Sequence, residues 1–278
     1  MNVLLTGSAG MLAQAFLNKR PRDWHLDTMD IDTLDMTHRD AVQKTISDLK
    51  PVLIINCAAF TQVDDCELEV EHAYAVNSAA VGYLAEAARV VGAKLVHFST
   101  DYIFDGQASA PYDETHAPAP LNVYGASKLQ GENQVRRYTT DHLILRTQWL
   151  YGQGKRHFVQ TILDAARKKP QLTVVDDQVG SPTWTEDLSE AALALIDCGA
   201  VGTYHVVNTG ICSWYAFACE IIKEAGLTTS VVPCKTAFYP RPARRPAYGV
   251  LSTQKMQATL GRALPAWDLA LRRFLRST

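Results

Sequence analysis

Short apolar runs alternate with amphipathic stretches over the first half of the chain. The predicted strands are residues 2–6, 25–30, 52–56, 94–98 and 143–146, and the predicted helices are 10–19, 38–49, 68–91 and 122–138. Segments such as 52–56 (VLIIN) are apolar in a continuous run rather than in alternation, which is typical of parallel strands buried on both faces. Helices between such strands predict an α/β fold with a doubly wound parallel sheet and right-handed crossovers.

Beyond about residue 150 the pattern becomes less regular. Helices are still predicted at 156–168, 185–198, 213–225 and 265–275, but polar, proline-rich loops such as 239–246 separate them. We therefore expect residues 1–150 to form a Rossmann-type dinucleotide-binding domain. Residues 151–278 are predicted to form mainly a smaller substrate-binding part, interleaved with late strands of the sheet.

Composition restricts the class of protein. The 278 residues carry a formal net charge of −2, which predicts no nucleic-acid partner. The six cysteines are scattered without a C-x-x-C pair, so they indicate neither a zinc site nor a disulfide scaffold, and reduced thiols suit a cytoplasmic protein. No apolar run approaches the ~18 residues that a membrane span requires. The sequence leaves open whether the chain is a monomer or a homodimer.

A glycine motif joins the first predicted strand to the first predicted helix. It reads Gly7-Ser-Ala-Gly10-Met11-Leu12-Ala13. Glycines permit the sharp turn and a close approach of the backbone to a pyrophosphate, which a helix N-terminus attracts. Gly7, Gly10, Met11 and Leu12 are therefore predicted to bind a dinucleotide.

An acid about 20 residues further on completes this dinucleotide pattern. Asp30 follows the second predicted strand and is expected to bond a ribose hydroxyl, although it could be a solvated loop acid, since Asp32 and Asp35 are near. Asp35 and Met36 are candidates for the adenine end of the cofactor. A carboxylate repels a 2′-phosphate, so Asp30 favours NADH and leaves NADPH open.

Small side chains follow the third predicted strand, in the motif Asn56-Cys57-Ala58-Ala59. Small residues leave room for a cofactor to cross the edge of the sheet. Ala58 and Ala59 are therefore predicted cofactor contacts, although a plain strand–loop junction would look the same.

Hydroxyl groups follow the fourth predicted strand, in the motif Ser99-Thr100-Asp101-Tyr102. The carboxyl end of a central strand lies beside the crevice in which such folds bind ligands. Thr100 is expected to bond a substrate oxygen or to orient Tyr124. The alternative is that these residues only cap a turn.

Tyr124 and Lys128 lie four residues apart in the segment Tyr124-Gly-Ala-Ser-Lys128. On a helix both side chains lie on one face, one turn apart. An ammonium within ~4–6 Å favours the ionised form of a phenol, whose pKa is otherwise ~10. Such a phenol can donate a proton to a carbonyl oxygen or accept one from an alcohol. The alternative is a surface pair that has this spacing by chance.

Longer motifs resemble those of a known family. They are residues 57–64 (CAAFTQVD), 99–106 (STDYIFDG), 146–152 (RTQWLYG), 180–183 (GSPT) and 244–246 (RRP). On these motifs the chain resembles, over nearly its whole length, the extended short-chain dehydrogenase/reductases and, within them, the dTDP-4-dehydrorhamnose reductases. The resemblance implies reduction of the C4 keto group of a dTDP-sugar, dTDP-4-dehydro-L-rhamnose, with NADPH or NADH.

The resemblance also implies roles for individual residues. Thr100, Tyr124 and Lys128 would form the catalytic set, in which Tyr124 protonates the keto oxygen. Lys128 would hold the nicotinamide ribose and lower the pKa of Tyr124, so both residues would also bind the cofactor. The implied substrate contacts are Thr61, Ser99, Thr100, Tyr102, Trp149 and Arg245, with Arg244 or Arg245 meeting the diphosphate.

The chain departs from the family pattern at two places. Gly249 and Ser252 stand where the family usually has a serine and an aspartate, which affects the C-terminal part of the expected pocket. Some members bind a metal through a glutamate early in the first helix. Gln14 and Ala15 occupy this region here, so we predict no metal.

Other functions remain open at this point. The chain could be another nucleotide-sugar epimerase, reductase or dehydratase, although a dehydratase is disfavoured because tyrosine rather than glutamate follows Asp101. It could be a non-catalytic regulatory subunit, since the beta subunit of methionine adenosyltransferase resembles the same family. A redox-sensing binding protein is the third alternative.

Overall fold

The computed structural model describes residues 1–277 of the chain. The strands are β1 (Asn2–Thr6), β2 (His25–Met29), β3 (Leu53–Asn56), β4 (Lys94–Thr100), β5 (His142–Thr147), β6 (Leu150–Tyr151), β7 (Gln171–Val175), β8 (Val179–Gly180), β9 (Thr183–Trp184), β10 (Gly202–His205), β11 (Cys212–Ser213) and β12 (Ser230–Cys234). The helices are α1 (Met11–Lys19), α2 (Arg39–Leu49), α3 (Val63–Leu68), α4 (Val70–Tyr74), α5 (Ala80–Val91), α6 (Val123–Tyr138), α7 (Phe158–Ala166), α8 (Thr185–Asp197), α9 (Trp214–Glu224), α10 (Gln254–Leu260) and α11 (Trp267–Ser277).

Within the described residues, six parallel strands form the central sheet, in the order β10-β5-β4-β3-β1-β2. Successive side chains of a strand point to opposite faces of the sheet. Leu5 packs with α1 and α8 on one face, and Leu4 packs with α2 and α5 on the other. Because both faces are covered, an inner strand such as β3 is buried at every residue, whereas the edge strand β2 carries Asp27 and is only partly buried. The predicted α/β doubly wound sheet is confirmed.

The helix predicted over residues 68–91 is interrupted. The chain forms α3, α4, a π-helical turn at Ala75–Ala79 and then α5. Inside the π turn, the buried Asn77 Nδ2 donates to the Phe60 carbonyl at 2.9 Å and to Ser127 Oγ at 3.1 Å, and Asn77 Oδ1 accepts from the Phe60 amide at 2.9 Å. A π turn adds one residue to the helix, which here directs Asn77 onto the loop after β3. Apolar periodicity does not reveal such a turn.

Residues 151–277 contribute to two cores. β10 extends the central sheet by pairing with β5, and Leu188 and Leu195 of α8 pack beside Phe16 of α1. A separate apolar cluster, which includes Phe217 and Phe274, joins α7, α9 and α11. The strand pair β7–β12 lies beside this second cluster and was not predicted. The division of the chain at residue 150 stays a prediction.

A buried ion pair between Glu132 and Arg146 links α6 to β5 of the central sheet. Arg146 donates to Glu132 through Nε at 2.9 Å and through Nη2 at 2.8 Å, and the Arg136 guanidinium donates to the same carboxylate at 2.6 Å. The Glu132 side chain is fully buried and that of Arg146 is 3% exposed. A buried pair of this kind contributes through the cost of breaking it rather than through net attraction.

We expect Glu132→Gln to destabilise the protein by about 3–5 kcal/mol, because it leaves the Arg146 charge buried and without a counter-charge. Glu86→Gln is the matched control, since its partner Arg39 is 54% exposed. This control should change the free energy of unfolding by only ~0–1 kcal/mol. Urea unfolding at pH 7 measures both values. Equal, small losses in the two variants would contradict the expectation.

Candidate active site

A cavity of about 800 Å³ lies along the carboxyl edge of the central sheet. The predicted site residues in its lining are Gly7, Gly10, Met11, Leu12, Asp30, Asp35, Met36, Ala58, Ala59, Thr61, Ser99, Thr100, Tyr102, Tyr124, Lys128 and Trp149. The cofactor and substrate residues predicted from separate motifs therefore meet at one place. Of the predicted residues, all of which the structure describes, Arg245 and its alternative Arg244 lie outside this lining.

The glycine turn after β1 is close to the loop after β3. Gly7 has a φ of +67°, and a Cβ at this position would lie 2.6 Å from the Ala58 amide nitrogen. Any larger residue would therefore collide with backbone as well as strain the turn. α1 begins directly after Gly10 and points its N-terminal amides at the same region, which favours an anion there.

Asp30 stands beside the glycine turn and braces it. Its Oδ2 accepts from the Ala9 amide at 2.6 Å, and its Oδ1 accepts from the Ile31 amide at 2.8 Å. Burial raises the pKa of Asp30, but these two amides and the charge of Lys155 outweigh it and hold the pKa below its ordinary value. The carboxylate is thus charged and partly engaged with backbone.

The predicted adenine end of the cavity combines polar and apolar groups. Asp35 Oδ1 accepts from the Thr37 amide at 2.9 Å and from its hydroxyl at 2.7 Å. These two bonds are the main reason that the pKa of Asp35 is lowered. The neighbouring Met36 is buried against the cluster under α2 and α5. This end can hold a flat aromatic group against apolar side chains.

Asn122 and Gly125 bring Tyr124 to the end of β4. Asn122 Oδ1 accepts from the Gly125 amide at 2.8 Å and so caps α6, which places Tyr124 in the first turn. A Cβ on Gly125 would overlap the Tyr102 carbonyl, so the glycine allows the helix to approach the Tyr102 backbone closely. The rings of Tyr102 and Tyr124 meet edge to face at 5.7 Å.

Thr100 lies beside this tyrosine at the end of β4. Its Oγ1 donates to Asp101 Oδ1 at 3.1 Å and accepts from the Tyr102 amide at 3.1 Å. The hydroxyl therefore caps the short turn that follows β4, as the alternative interpretation expected, while also facing the cavity.

The pKa of Tyr124 moves in the direction opposite to the one expected. Burial raises it, the nearby Asp101 carboxyl raises it further, and a hydrogen bond with Thr100 lowers it in part. The Lys128 ammonium is directed elsewhere, since its Nζ donates to the Phe98 carbonyl at 2.6 Å. Burial lowers the pKa of Lys128 to about 8, although the Glu132 carboxylate opposes this shift.

Buried polar atoms without hydrogen-bond partners among the described residues cluster at one end of the cavity. In residues that line the cavity, these atoms are Ser99 Oγ, Asp101 Oδ2, Thr147 Oγ1 and both side-chain polar atoms of Gln148. Buried polar groups are nearly always hydrogen-bonded, so these atoms fit a polar ligand such as a sugar. Thr147 and Gln148 were not predicted; their only signal in the sequence is two polar residues directly after an apolar strand.

Two tryptophans close the same end of the cavity. Trp149 has a φ of +49°, which is rare for a residue with a side chain, and its ring stacks on Trp214 at 3.6 Å. Backbone strain of this kind persists where the surroundings enforce it, often at binding sites. Trp214, at the start of α9, also lines the cavity and was not predicted.

Arg245 is engaged outside the cavity. Its Nη1 and Nη2 each donate to one carboxylate oxygen of Asp64 at 2.8 Å. It also bonds the Tyr102 side chain, and although burial lowers its pKa, these partners raise the pKa above its ordinary value. The guanidinium therefore stands behind Tyr102 rather than in the predicted substrate space.

The described residues offer neither a metal site nor a membrane-spanning helix. Within residues 1–277, no group of three or more His, Cys, Asp or Glu side chains could hold a metal ion. None of the helices in this range combines the length and the apolar character that crossing a membrane requires.

Comparison with known proteins gives the family. Residues 1–278 match the family model described as the RmlD substrate binding domain. The chain belongs to this RmlD family. The chain is 39% identical to the spore coat polysaccharide biosynthesis protein SpsK of Bacillus subtilis (strain 168), over 99% of this chain and 96% of that protein. It is 36% identical to the dTDP-4-dehydrorhamnose reductase of Escherichia coli (strain K12), over 99% and 97%.

A solved structure supports the same assignment for this RmlD-family chain. The dTDP-4-dehydrorhamnose reductase (rfbD) of Bacillus anthracis strain Ames, in complex with NADP, matches it with a TM-score of 0.97 at 38% identity. The match covers 100% of this chain and 99% of that one. The resemblance to the dTDP-4-dehydrorhamnose reductases, inferred above from short motifs, is confirmed.

Burial raises the pKa of Asp101 to about 7, so the folded protein holds the proton more tightly than the unfolded chain does. The resulting stability is present at pH 4 and is lost as the pH rises towards 7. Asp101→Asn removes this titration. We expect the unfolding free energy of the variant, relative to the parent protein, to be higher at pH 8 than at pH 4, by of the order of 1–4 kcal/mol.

Chemical denaturation at both pH values measures this difference. Asp65→Asn, at an exposed carboxyl, is the matched control and should show almost the same difference at pH 4 and pH 8. An Asp101→Asn effect as flat as that of the control would show that this carboxyl ionises normally in the folded protein.

Proposed function

We propose that this chain is a reductase that converts dTDP-4-dehydro-L-rhamnose to dTDP-L-rhamnose with NADPH or NADH. The single observation that carries the proposal is the position of Tyr124 and Lys128, which line the same cavity as the glycine turn after β1. The similarity to the E. coli dTDP-4-dehydrorhamnose reductase and to the B. anthracis reductase in complex with NADP supports it.

The first half of the cavity fits a dinucleotide. The pyrophosphate would lie against Gly7 and Gly10 at the N-terminus of α1, where backbone amides favour anions. Met11 and Leu12 would flank it, and Ala58 and Ala59 would leave it space.

Different residues would bind the adenosine end and the nicotinamide end of that cofactor. Asp30 would accept a bond from the adenosine ribose, next to Asp35 and Met36, and Lys128 would bond the nicotinamide ribose. The charge of Lys155 lies near Asp30 and offsets part of its repulsion of a 2′-phosphate. Both NADPH and NADH therefore fit, although the sequence alone favoured NADH.

When bound, the reduced nicotinamide supplies a hydride to C4 of the sugar, and the chain supplies the proton. Tyr124 would donate its phenol proton to the keto oxygen. The raised pKa of Tyr124 keeps the phenol protonated until then. Thr100, beside the phenol, orients it and can bond the same oxygen.

The remaining polar groups would hold the sugar nucleotide. Ser99, Tyr102, Thr61 and Trp149 are proposed contacts, as predicted. The unpartnered polar atoms of Gln148 would bond sugar hydroxyls, since they have no partner in the described chain. Arg245 can reach a diphosphate only if it leaves Asp64, so we assign it to holding Tyr102 in place.

Tyr124→Phe removes the proton donor and should lower turnover by at least ~10²-fold, with little change in cofactor affinity. Initial rates of NAD(P)H oxidation with dTDP-4-dehydro-L-rhamnose measure turnover. Tyr74→Phe is the control, because Tyr74 is 37% exposed on α4 and does not line the cavity. Turnover within a few-fold of the parent protein would remove Tyr124 from this role.

Gly7→Ala should weaken cofactor binding roughly tenfold or more, equivalent to ~1.4 kcal/mol, because the methyl group collides with the Ala58 backbone. Gly199→Ala is the control: its φ of +71° imposes similar backbone strain, but a Cβ there meets nothing within 4 Å. Titration of cofactor fluorescence gives both affinities. A loss of binding that is the same in both variants would contradict the proposed pyrophosphate position.

The same oxidation assay separates the alternatives. A non-catalytic regulatory subunit would bind the cofactor and oxidise none of it with dTDP-, UDP- or GDP-keto sugars. A homodimer and a cytoplasmic location stay predictions; sedimentation of the purified chain tests the first.

A further inference from the structure

A line of buried polar side chains runs across the sheet behind Lys128. The register pairs Thr6 of β1 with Asn56 of β3, and Asn56 with His97 of β4. Paired residues of neighbouring strands point the same way, so the three side chains stand in a row that ends at Lys128. None of the four is more than 2% exposed. Thr6, Asn56 and Lys128 also line the cavity, but so little of each side chain is exposed that the hydrogen bonds of the row are made within the protein.

The direction of each hydrogen bond in this row is fixed from one end. The backbone amide of Ala58 can only donate, and it lies 3.1 Å from Asn56 Oδ1, which also accepts from Thr6 Oγ1 at 2.8 Å. The other side-chain atom of Asn56 is therefore the Nδ2 donor. It lies 3.1 Å from His97 Nδ1, which must accept.

A neutral imidazole that accepts through Nδ1 carries its proton on Nε2. His97 is neutral, because burial, followed by the charges of Lys128 and Arg136, holds its pKa well below the usual range. Its Nε2–H lies 3.4 Å from Lys128 Nζ. An ammonium has three N–H donors and no acceptor, so it faces a second donor here, whereas a neutral amine offers a lone pair.

We propose that His97 is a positioning residue for Lys128 that disfavours the ammonium by presenting an N–H group where a positive amine needs an acceptor. Asn56 sets the tautomer that does this. The same amine keeps one donor for the Phe98 carbonyl and one for the cavity. His97 does not line the cavity and so acts only through Lys128.

The other groups around Lys128 do not remove this effect. Glu132 lies one turn further along α6 and favours the ammonium, but its oxygens are taken by Arg146 and Arg136. Cys57, after β3, is a buried thiol whose pKa is raised by burial, so it remains uncharged. Tyr124, one turn earlier on α6, is likewise neutral because its pKa is raised.

A lysine that titrates near neutral pH can replace the proton that Tyr124 gives to the substrate. This consequence rests on the proposed reductase function, whereas the tautomer of His97 and the pKa of Lys128 do not. The two can therefore be tested separately.

The first test uses the cofactor-free protein. Nitrogen-15 NMR of histidine-labelled protein should show His97 protonated on Nε2, and carbon-13 NMR of labelled lysine should show Lys128 titrating below the ordinary value of ~10.4. His97 protonated on Nδ1, or a Lys128 with an ordinary pKa, would overturn the proposal without any variant having to fold.

His97→Asn is the decisive variant. An asparagine oxygen can still accept from Asn56 Nδ2, but the shorter side chain removes the Nε2–H group that faces Lys128. We expect the pKa of Lys128 to rise by about 1 unit, the equivalent of roughly one hydrogen bond. His142→Asn is the control, since His142 bonds the Thr139 carbonyl at 2.7 Å and has no contact with Lys128. An equal Lys128 pKa in both variants would refute the role of His97.

Asn56→Asp gives a second, independent variant. Its carboxylate still accepts from Ala58 and Thr6 but must also accept from His97 Nδ1, so the imidazole proton should move to Nδ1 and the pKa of Lys128 should rise. An unchanged tautomer would contradict the proposed direction of the row. If the NMR results hold while Tyr124→Phe keeps full turnover, the reductase function fails and the His97 assignment stands.

Discussion

The parallel direction of the central strands is the constraint on which the site depends. Parallel strands end at the same edge of the sheet, so residues far apart in sequence arrive side by side. Gly7, Asn56, Thr100 and Gln148 each follow or end a different strand, and all line one cavity. Register adds to direction. Thr100 pairs with Thr147, and Asn56 pairs with His97, so side chains of neighbouring strands also share a face.

Burial shifts the pKa values of acidic and basic groups of the site in opposite directions. It raises the pKa of Asp101 to about 7 and lowers the pKa of Lys128 to about 8, so each group is moved towards its neutral form. Glu132 is equally buried but keeps a lowered pKa, because hydrogen bonds and charge from Arg146 outweigh the burial. The ion pair therefore stays charged as structure, while the two less compensated groups titrate near neutral pH, where a proton can be exchanged.

The sequence predicted the parts of the molecule that depend on neighbours along the chain. Continuous apolar strands indicate burial on both faces, and the glycine turn and the Tyr124–Lys128 spacing are local patterns. Features that depend on distant contacts were missed. Arg245 meets Asp64 across more than half the chain, and no local pattern shows that it does. β10 has only four residues, two of them polar, and becomes a strand by pairing with β5.

The predicted lowering of the Tyr124 pKa was wrong for the same reason, because it also depends on contacts with residues distant in the sequence. Four residues on a helix bring Lys128 to the face of Tyr124, but the direction of an ammonium is decided by its other partners. Here the Phe98 carbonyl accepts a hydrogen bond from Lys128, and His97 faces the same amine. Both residues belong to β4, so the sequence of the helix does not predict these contacts.

The departure at Gly249 has a local reason in this chain. A Cβ at this position would overlap Asp101 Oδ2 and would lie 3.3 Å from Gln148 Oε1. The serine expected there from the family resemblance could enter only if the Asp101 carboxyl moved. Gly249 and the present position of Asp101 therefore belong together, because the glycine leaves the space that the buried Asp101 carboxyl occupies beside Gln148.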